Sequence, residues 1–250
     1  MANRNKNSLM VYLLLFTIGV MGLPLLSSCG KSEGISSSNN NARLGIVNLS
    51  NDVQPFKLYA RFIAQGTATY SYPNASTYTL INVADTPVQV RTAQTSNNLN
   101  PINLLTLNRG FVRNVPYTLF VMGLRKDSSL AAVITVDTSS LPANGRGKIR
   151  LVNAVANVPS GVNLTLNDTV AFRSVRFKGV TDFVEVTAGT YNINVVPSNN
   201  PSTPLKDLSN FTILDGKTYT IYSYGLSSGS DTASYGINTI LNTLPPNTRY

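Results

Sequence analysis

The 250-residue chain holds one cysteine and no histidine, so the chemistry open to it is narrow. Nucleophile arrangements of the Ser-His-Asp or Cys-His kind need an imidazole base, and zinc sites lose their usual ligands. Carboxylates remain. Glu185 follows Asp182 by three positions, and on a strand that spacing sends the two side chains to opposite faces. A pair flanking a glycosidic bond is therefore not expected from them. Asp215-Gly216-Lys217-Thr218 echoes the end of a phosphate-binding loop, but Phe211 stands where the loop's first glycine is needed, so a turn leading into a strand is the better reading. Asp168, Asp207 and Asp231 stand alone, without the alternating acids of a calcium loop. No catalytic residue, metal or cofactor is expected.

Cys29 is the residue whose setting does define a chemistry. It closes Leu26-Ser27-Ser28-Cys29, after a basic start (Arg4, Lys6) and an apolar run of 18 residues from Leu9 to Leu26. These are the three parts of a secretory signal: charged region, apolar region and small-residue cleavage site. An uncleaved transmembrane helix is the first alternative; the run is near the lower length limit for one, and Pro24 and the serine pair suit a cleavage site better. An ordinary signal with an incidental cysteine is the second. The arrangement resembles the lipobox of bacterial lipoproteins. That resemblance implies cleavage before Cys29, diacylation of its thiol and acylation of the new amino terminus with a palmitate-type chain. Membrane lipid is then the expected partner through acylated Cys29. Each buried methylene contributes about 0.8 kcal/mol, and a stable anchor takes more than one chain. Gly30 occupies the position where aspartate marks inner-membrane retention in enteric lipoproteins, so the expected address is the outer membrane, periplasmic or surface-facing.

Removal of residues 1–28 leaves 222 residues with no cysteine free to form a disulfide. Apolar residues make up 42% of the chain, enough for a packed core. Lys and Arg number 20 against 11 Asp and Glu, a net +9 that falls to +7 without Arg4 and Lys6. The basic residues are scattered singly, with Arg173, Arg176 and Lys178 the densest group. They read as solvation of a charge-poor surface rather than a nucleic-acid site.

The elements that must position any site are strands. Phe56, Leu58, Ala60 and Phe62 alternate with Lys57, Tyr59 and Arg61, and Val162, Leu164 and Leu166 alternate with Asn163 and Thr165. Such runs are punctuated by Asn, Gly, Pro and Ser, as in Asn108-Arg109-Gly110 and Asp215-Gly216. The chain also reads as two copies of one unit. Leu44-Gly45-Ile46-Val47-Asn48 lies over Ile149-Arg150-Leu151-Val152-Asn153 at an offset of 105, and Tyr117–Leu124 over Tyr219–Leu226 at 102. A period this long is a whole domain, not a solenoid repeat. The expected organisation is a signal helix over 1–28, a lipid-anchored flexible tether over 29–42, and an all-β double sandwich of immunoglobulin-like or transthyretin-like kind. Its domains span 43–138 and 148–241, with a linker at 139–147 and a tail at 242–250.

Each repeat opens like the domain of unknown function numbered 4397, found in secreted and envelope proteins of bacteria. Arg43–Ser50 and Lys148–Ala154 resemble its first strand, Ala188-Gly189-Thr190-Tyr191 its middle element, and Gly216–Ile221 its late strand. The first copy departs at Ala84-Asp85-Thr86. The resemblance implies a fold and an address; the family supplies no functional residues.

Two further patterns bear on function. Asp168-Thr169-Val170 and Asp231-Thr232-Ala233 resemble the acceptor of bacterial O-glycosylation, which makes Thr169 and Thr232 candidate sites. Tyr70 with Tyr72, and Tyr222 with Tyr224, sit at strand spacing, so each pair should face one side, as half-buried strand residues or as platforms for sugars and protein partners. The expectation is a non-enzymatic, lipid-anchored envelope module for binding, adhesion or structure, with a surface glycan or envelope protein as partner. The alternative is an accessory enzyme of envelope glycan or peptide turnover, built around Asp182, Glu185 or Asp215.

Overall fold

The computed structural model describes residues 40–53, 55–93, 100–202, 204–228 and 233–242, all within one compact unit. Cys29, the expected signal, most of the tether and Thr232 lie outside them. The described residues form strands β1 (Asn41–Leu49), β2 (Phe56–Ala60), β3 (Ile63–Ala64), β4 (Thr79–Asn82), β5 (Val88–Thr92), β6 (Asn103–Leu107), β7 (Pro116–Met122) and β8 (Ala131–Val136). A second set follows: β9 (Arg146–Asn153), β10 (Val162–Leu166), β11 (Thr169–Val175), β12 (Val184–Thr187), β13 (Gly189–Pro197), β14 (Lys206–Ile213), β15 (Thr218–Tyr224) and β16 (Gly236–Leu241). The protein is all-β, built as two β-sandwiches.

The sheets run β4-β1-β7-β8 and β3-β2-β5-β6 in the first sandwich, and β12-β9-β15-β16 and β11-β10-β13-β14 in the second. Adding eight to each strand number of the first set gives the second. In both, the first strand pairs in parallel with the seventh; the other strand–strand pairings among the described residues are antiparallel. Small features repeat too. Asn48 Nδ2 donates to Tyr70 O and Asn153 Nδ2 to Val175 O, at 3.1 and 2.8 Å, each closing the end of its first strand.

Leu44, Ile46, Leu119 and Val121 meet Phe56, Leu58, Val88 and Val90 in one core. Ile149, Leu151 and Ile221 meet Val162, Leu164, Ile193 and Val195 in the other. These residues follow the period-two rule, as β2 shows with alternating buried and half-buried positions. Strands β7 and β15 break it: every residue of β7, and all of β15 except Tyr224, is buried. Their second faces are covered by each other's sheets. Val47, Leu49, Phe120 and Met122 of the first sandwich pack against Val152, Ala154 and Tyr222 of the second, so the inner sheets lie face to face in a four-layer body. Val47 and Val152 are 105 positions apart and Phe120 and Tyr222 are 102 apart, so equivalent positions meet across the joint. Burying a side chain of this size contributes about 1.5–3 kcal/mol, which makes the joint a third core rather than a contact between separate domains.

Candidate functional site

The acidic residues singled out in the sequence are dispersed. Glu185 on β12 lies opposite Lys148 on β9, with Oε1 3.6 Å from its Nζ. Asp182 is exposed before β12, and Asp215 is exposed in the turn before β15. Among the described residues no three His, Cys, Asp or Glu side chains gather as a metal site would require. Thr169 is the exposed first residue of β11, beside the Asn167-Asp168 turn.

The tyrosines are brought together differently from the expectation. Tyr70 and Tyr72 do not share a side, because residues 70–73 are an isolated bridge and a turn rather than a strand. Tyr70 is buried against Phe56 in the first core, with ring centroids 5.5 Å apart. Tyr72 instead reaches the joint and meets Tyr224 edge to face at 5.8 Å. A ladder of rings results: Phe120 to Tyr222 at 6.0 Å, Tyr222 to Tyr224 at 5.9 Å, then Tyr72. These separations lie in the attractive range for aromatic pairs. Gly236 stands opposite Tyr224 on β16, and a Cβ there would strike the Tyr224 ring. The missing side chain is what lets that ring lie across the strand.

The outer end of the ladder opens into a groove of about 340 Å³, lined by Tyr72, Pro73, Lys206, Tyr224, Tyr235 and Ile237 among others. Its three tyrosines are half-buried. The hydroxyls of Tyr72 and Tyr235 are themselves buried; that of Tyr72 has no hydrogen-bond partner among the described residues, and that of Tyr235 has only the Ser223 hydroxyl near it. Buried hydroxyls are normally paired, so the orphan at Tyr72 is unusual. Burial, with the neighbouring Tyr224, pushes the Tyr72 pKa up to about 12. Burial also raises that of Tyr235, offset only in part by the Ser223 hydroxyl, which itself donates to Asn153 Oδ1. Both phenols stay protonated at neutral pH and act as donors. The groove is thus lined by aromatic ring faces and by Lys206, with both hydroxyls buried.

A second polar constellation lies inside the joint. The side chains of Asp137 and Arg150 are 0% and 4% exposed and form an ion pair through Oδ1 and Nη2. Asp137 also accepts from Tyr78 Oη at 2.7 Å, Thr118 Oγ1 at 2.6 Å and Thr135 Oγ1 at 2.9 Å. Arg150 Nε donates to Thr220 Oγ1 at 2.8 Å and Nη1 to Val136 O at 2.7 Å, while Phe183 stacks 4.5 Å from its guanidinium carbon. Burial draws the Arg150 pKa down and Asp137 opposes it; burial, then Asp137, raises that of Tyr78. The Asp137 carboxylate and the Arg150 guanidinium are thus held by partners from both sandwiches, so the cluster locks the two in register.

Comparison with known families bears on the second half of the chain. Residues 152–246 match the family model of DUF4397, a domain of unknown function. No curated protein matches the chain. The matched segment begins within β9 and ends after β16. It supplies Lys206, Tyr224 and Tyr235 to the groove, whereas Tyr72 comes from the preceding sandwich. Arg150 and Asp137 also lie outside it. Sequence reasoning singled out Tyr72 and Tyr224 but not Tyr235, Lys206, Asp137 or the role of Arg150. The Tyr224–Gly236 juxtaposition is a cross-strand pair with no local signature, and a lone charged residue in a strand reads equally well as exposed.

Proposed function

We propose that this chain is a non-enzymatic, lipid-anchored protein of the bacterial envelope, most consistent with the outer membrane, that binds a saccharide unit of a surface polymer in the Tyr72–Tyr224–Tyr235 groove. The observation that carries the binding reading is the edge-to-face pair of half-buried Tyr72 and Tyr224 rings in the wall of one groove, with Lys206 in the same lining. A sugar ring presents C–H faces that stack on aromatics and hydroxyls that accept from an ammonium. Acylation of Cys29 is the proposed anchor, supported by the basic, apolar and Leu-Ser-Ser-Cys succession of the first 29 residues. We also read residues 43–138 and 148–241 as tandem copies of the DUF4397 unit, supported by the matching strand orders and by Asn48 and Asn153 making the same bond. Duplication here would serve to build one groove from two copies rather than two separate sites.

A glycan array probed with the wild-type protein and with Tyr224→Ala tests the binding reading. Hits retained by the wild type and lost by the variant are expected; absence of any wild-type hit would count against a saccharide. Thr169, exposed at its turn, is proposed as an O-glycosylation site, and an intact mass equal to the lipidated polypeptide alone would remove that proposal.

A further inference from the structure

The hairpin turn joining β2 to β3 is made by Arg61 and Phe62, with φ of 48° and 67°. Its counterpart between β10 and β11 is made by Asn167 and Asp168, with φ of 45° and 65°. The two turns share the left-handed signature of a tight hairpin, and Asn and Asp are among the residues that tolerate it. Arginine and phenylalanine are not; a bulky side chain at positive φ is a strained choice that needs a reason. Packing does not supply one. Phe62 is 61% exposed and the adjacent Ile63 69% exposed. The first sandwich therefore holds a strained turn whose visible effect is to present two large apolar side chains to the outside.

The surroundings of the tip are basic. Arg61 has a side chain 65% exposed, with only Asp85 opposite it at 3.9 Å. The Arg91 guanidinium lies 4.7 Å from the Tyr59 ring and 6.0 Å from the Phe62 ring, and Lys57 is its cross-strand neighbour. The tip also lies at the end of the sandwich where the chain enters. Asn40 O accepts from Val83 N, Asp85 N donates to Asn82 O, and Arg61 N donates to Pro87 O, so the turn and the start of β1 are bridged by one short stretch of chain. Ten residues, eleven Cα steps, separate Asn40 from Cys29. At about 3.3–3.6 Å per residue they can hold that end no farther than roughly 40 Å from a lipid attached at the cysteine.

We propose that the Arg61-Phe62-Ile63 tip is a second, non-covalent membrane contact. Phe62 and Ile63 enter the boundary between head groups and acyl chains, while Arg61 and Arg91 face anionic head groups. A convex, projecting pair of apolar side chains in a basic collar suits a lipid surface better than a protein groove. An acyl anchor at Cys29 fixes one point of the chain at the bilayer; a second contact would orient the double sandwich on it. The location of this contact rests on the lipid-anchored reading above.

The protein contains no tryptophan, so Phe62→Trp introduces a single tryptophan at the tip, excited selectively at the red edge where the tyrosines do not absorb. The full-length protein as produced in cells is mixed with phosphatidylcholine–phosphatidylglycerol vesicles carrying brominated acyl chains. Lys126→Trp, in the turn after β7 at the opposite end of the sandwich, is the control. The expected result is at least about twofold stronger quenching at position 62 than at position 126. Equal quenching at the two positions, or none at either, overturns the proposal; Ile63→Trp serves as the reporter if Phe62→Trp does not fold. Metabolic labelling of Cys29 with an alkyne fatty acid is read in parallel. Label without quenching at the tip removes the tip and keeps the anchor, whereas quenching without label keeps the tip and removes the anchor.

Discussion

Replacing Asp137 by alanine tests the idea that the two sandwiches unfold as one body. The change removes the acceptor for Tyr78, Thr118 and Thr135 and leaves Arg150 charged at a site where its side chain is 4% exposed. Breaking a buried pair in this way costs about 3–5 kcal/mol, most of it from the stranded charge. In a cooperative unit of this size 1 kcal/mol moves Tm by about 2–4 °C, so the expected fall is roughly 6–20 °C. The double change Asp137→Val with Arg150→Met removes both charges at once. It should recover most of that loss, because an apolar replacement of a buried pair is often neutral or stabilising by about 1–4 kcal/mol. Urea unfolding of the wild type, Asp137→Val, Arg150→Met and the double change, followed by far-ultraviolet circular dichroism with calorimetry alongside, gives all four corners of the cycle. A coupling energy above about 2 kcal/mol and a single transition in the wild type are expected. A cost below about 1 kcal/mol for Asp137→Ala, or a double change equal to the sum of the singles, would refute the reasoning.

Phe120, fully buried where the inner sheets meet, should cost about 3–5 kcal/mol as Phe120→Ala, and the denaturation curve should then split if the joint is what makes the body cooperative. Gly236→Ala drives a methyl group into the Tyr224 ring; ligand binding in the groove should fall at least about tenfold while the circular dichroism spectrum keeps its β form. At high pH the raised tyrosine values set the direction of change. With Tyr72 and Tyr222 held at about 12 in the folded protein against about 10 when unfolded, the unfolded chain gives up its phenolic protons first. The stability these groups contribute is whole below pH 10 and is lost between pH 10 and 12. Ultraviolet titration of tyrosinate absorbance, run with and without urea, checks both the window and its sign.

Several features of the fold can be read along the chain because they are local. Alternation in Phe56–Ala60 and Val162–Leu166 reports one wet and one dry face, and Asp215-Gly216 reports a turn. The runs over β1, β7, β9 and β15 are equally legible as strands, and the offsets of 105 and 102 link strands that hold the same places in the two strand orders. Their near-continuous burial shows that both faces of these strands are covered, which polar residues such as Arg150, Thr220 and Ser223 gave no sign of in the sequence. What lies against the second face was not readable, since hydrophobic pattern says that a surface is buried and never by what.

The sequence by itself determined an all-β chain without histidine, its punctuation into short strands, and a lone Cys29 behind an apolar run. The tertiary structure decided that Tyr72 would meet Tyr224 across 152 positions of chain, that Tyr70 would part from Tyr72, and that Asp137 and Arg150 would share a buried site. The physical reason is the same in each case. Propensity and periodicity act over a few neighbouring residues, whereas the groove, the ion pair and the joint depend on contacts between strands far apart in sequence, which exist only after two inner sheets have closed on one another.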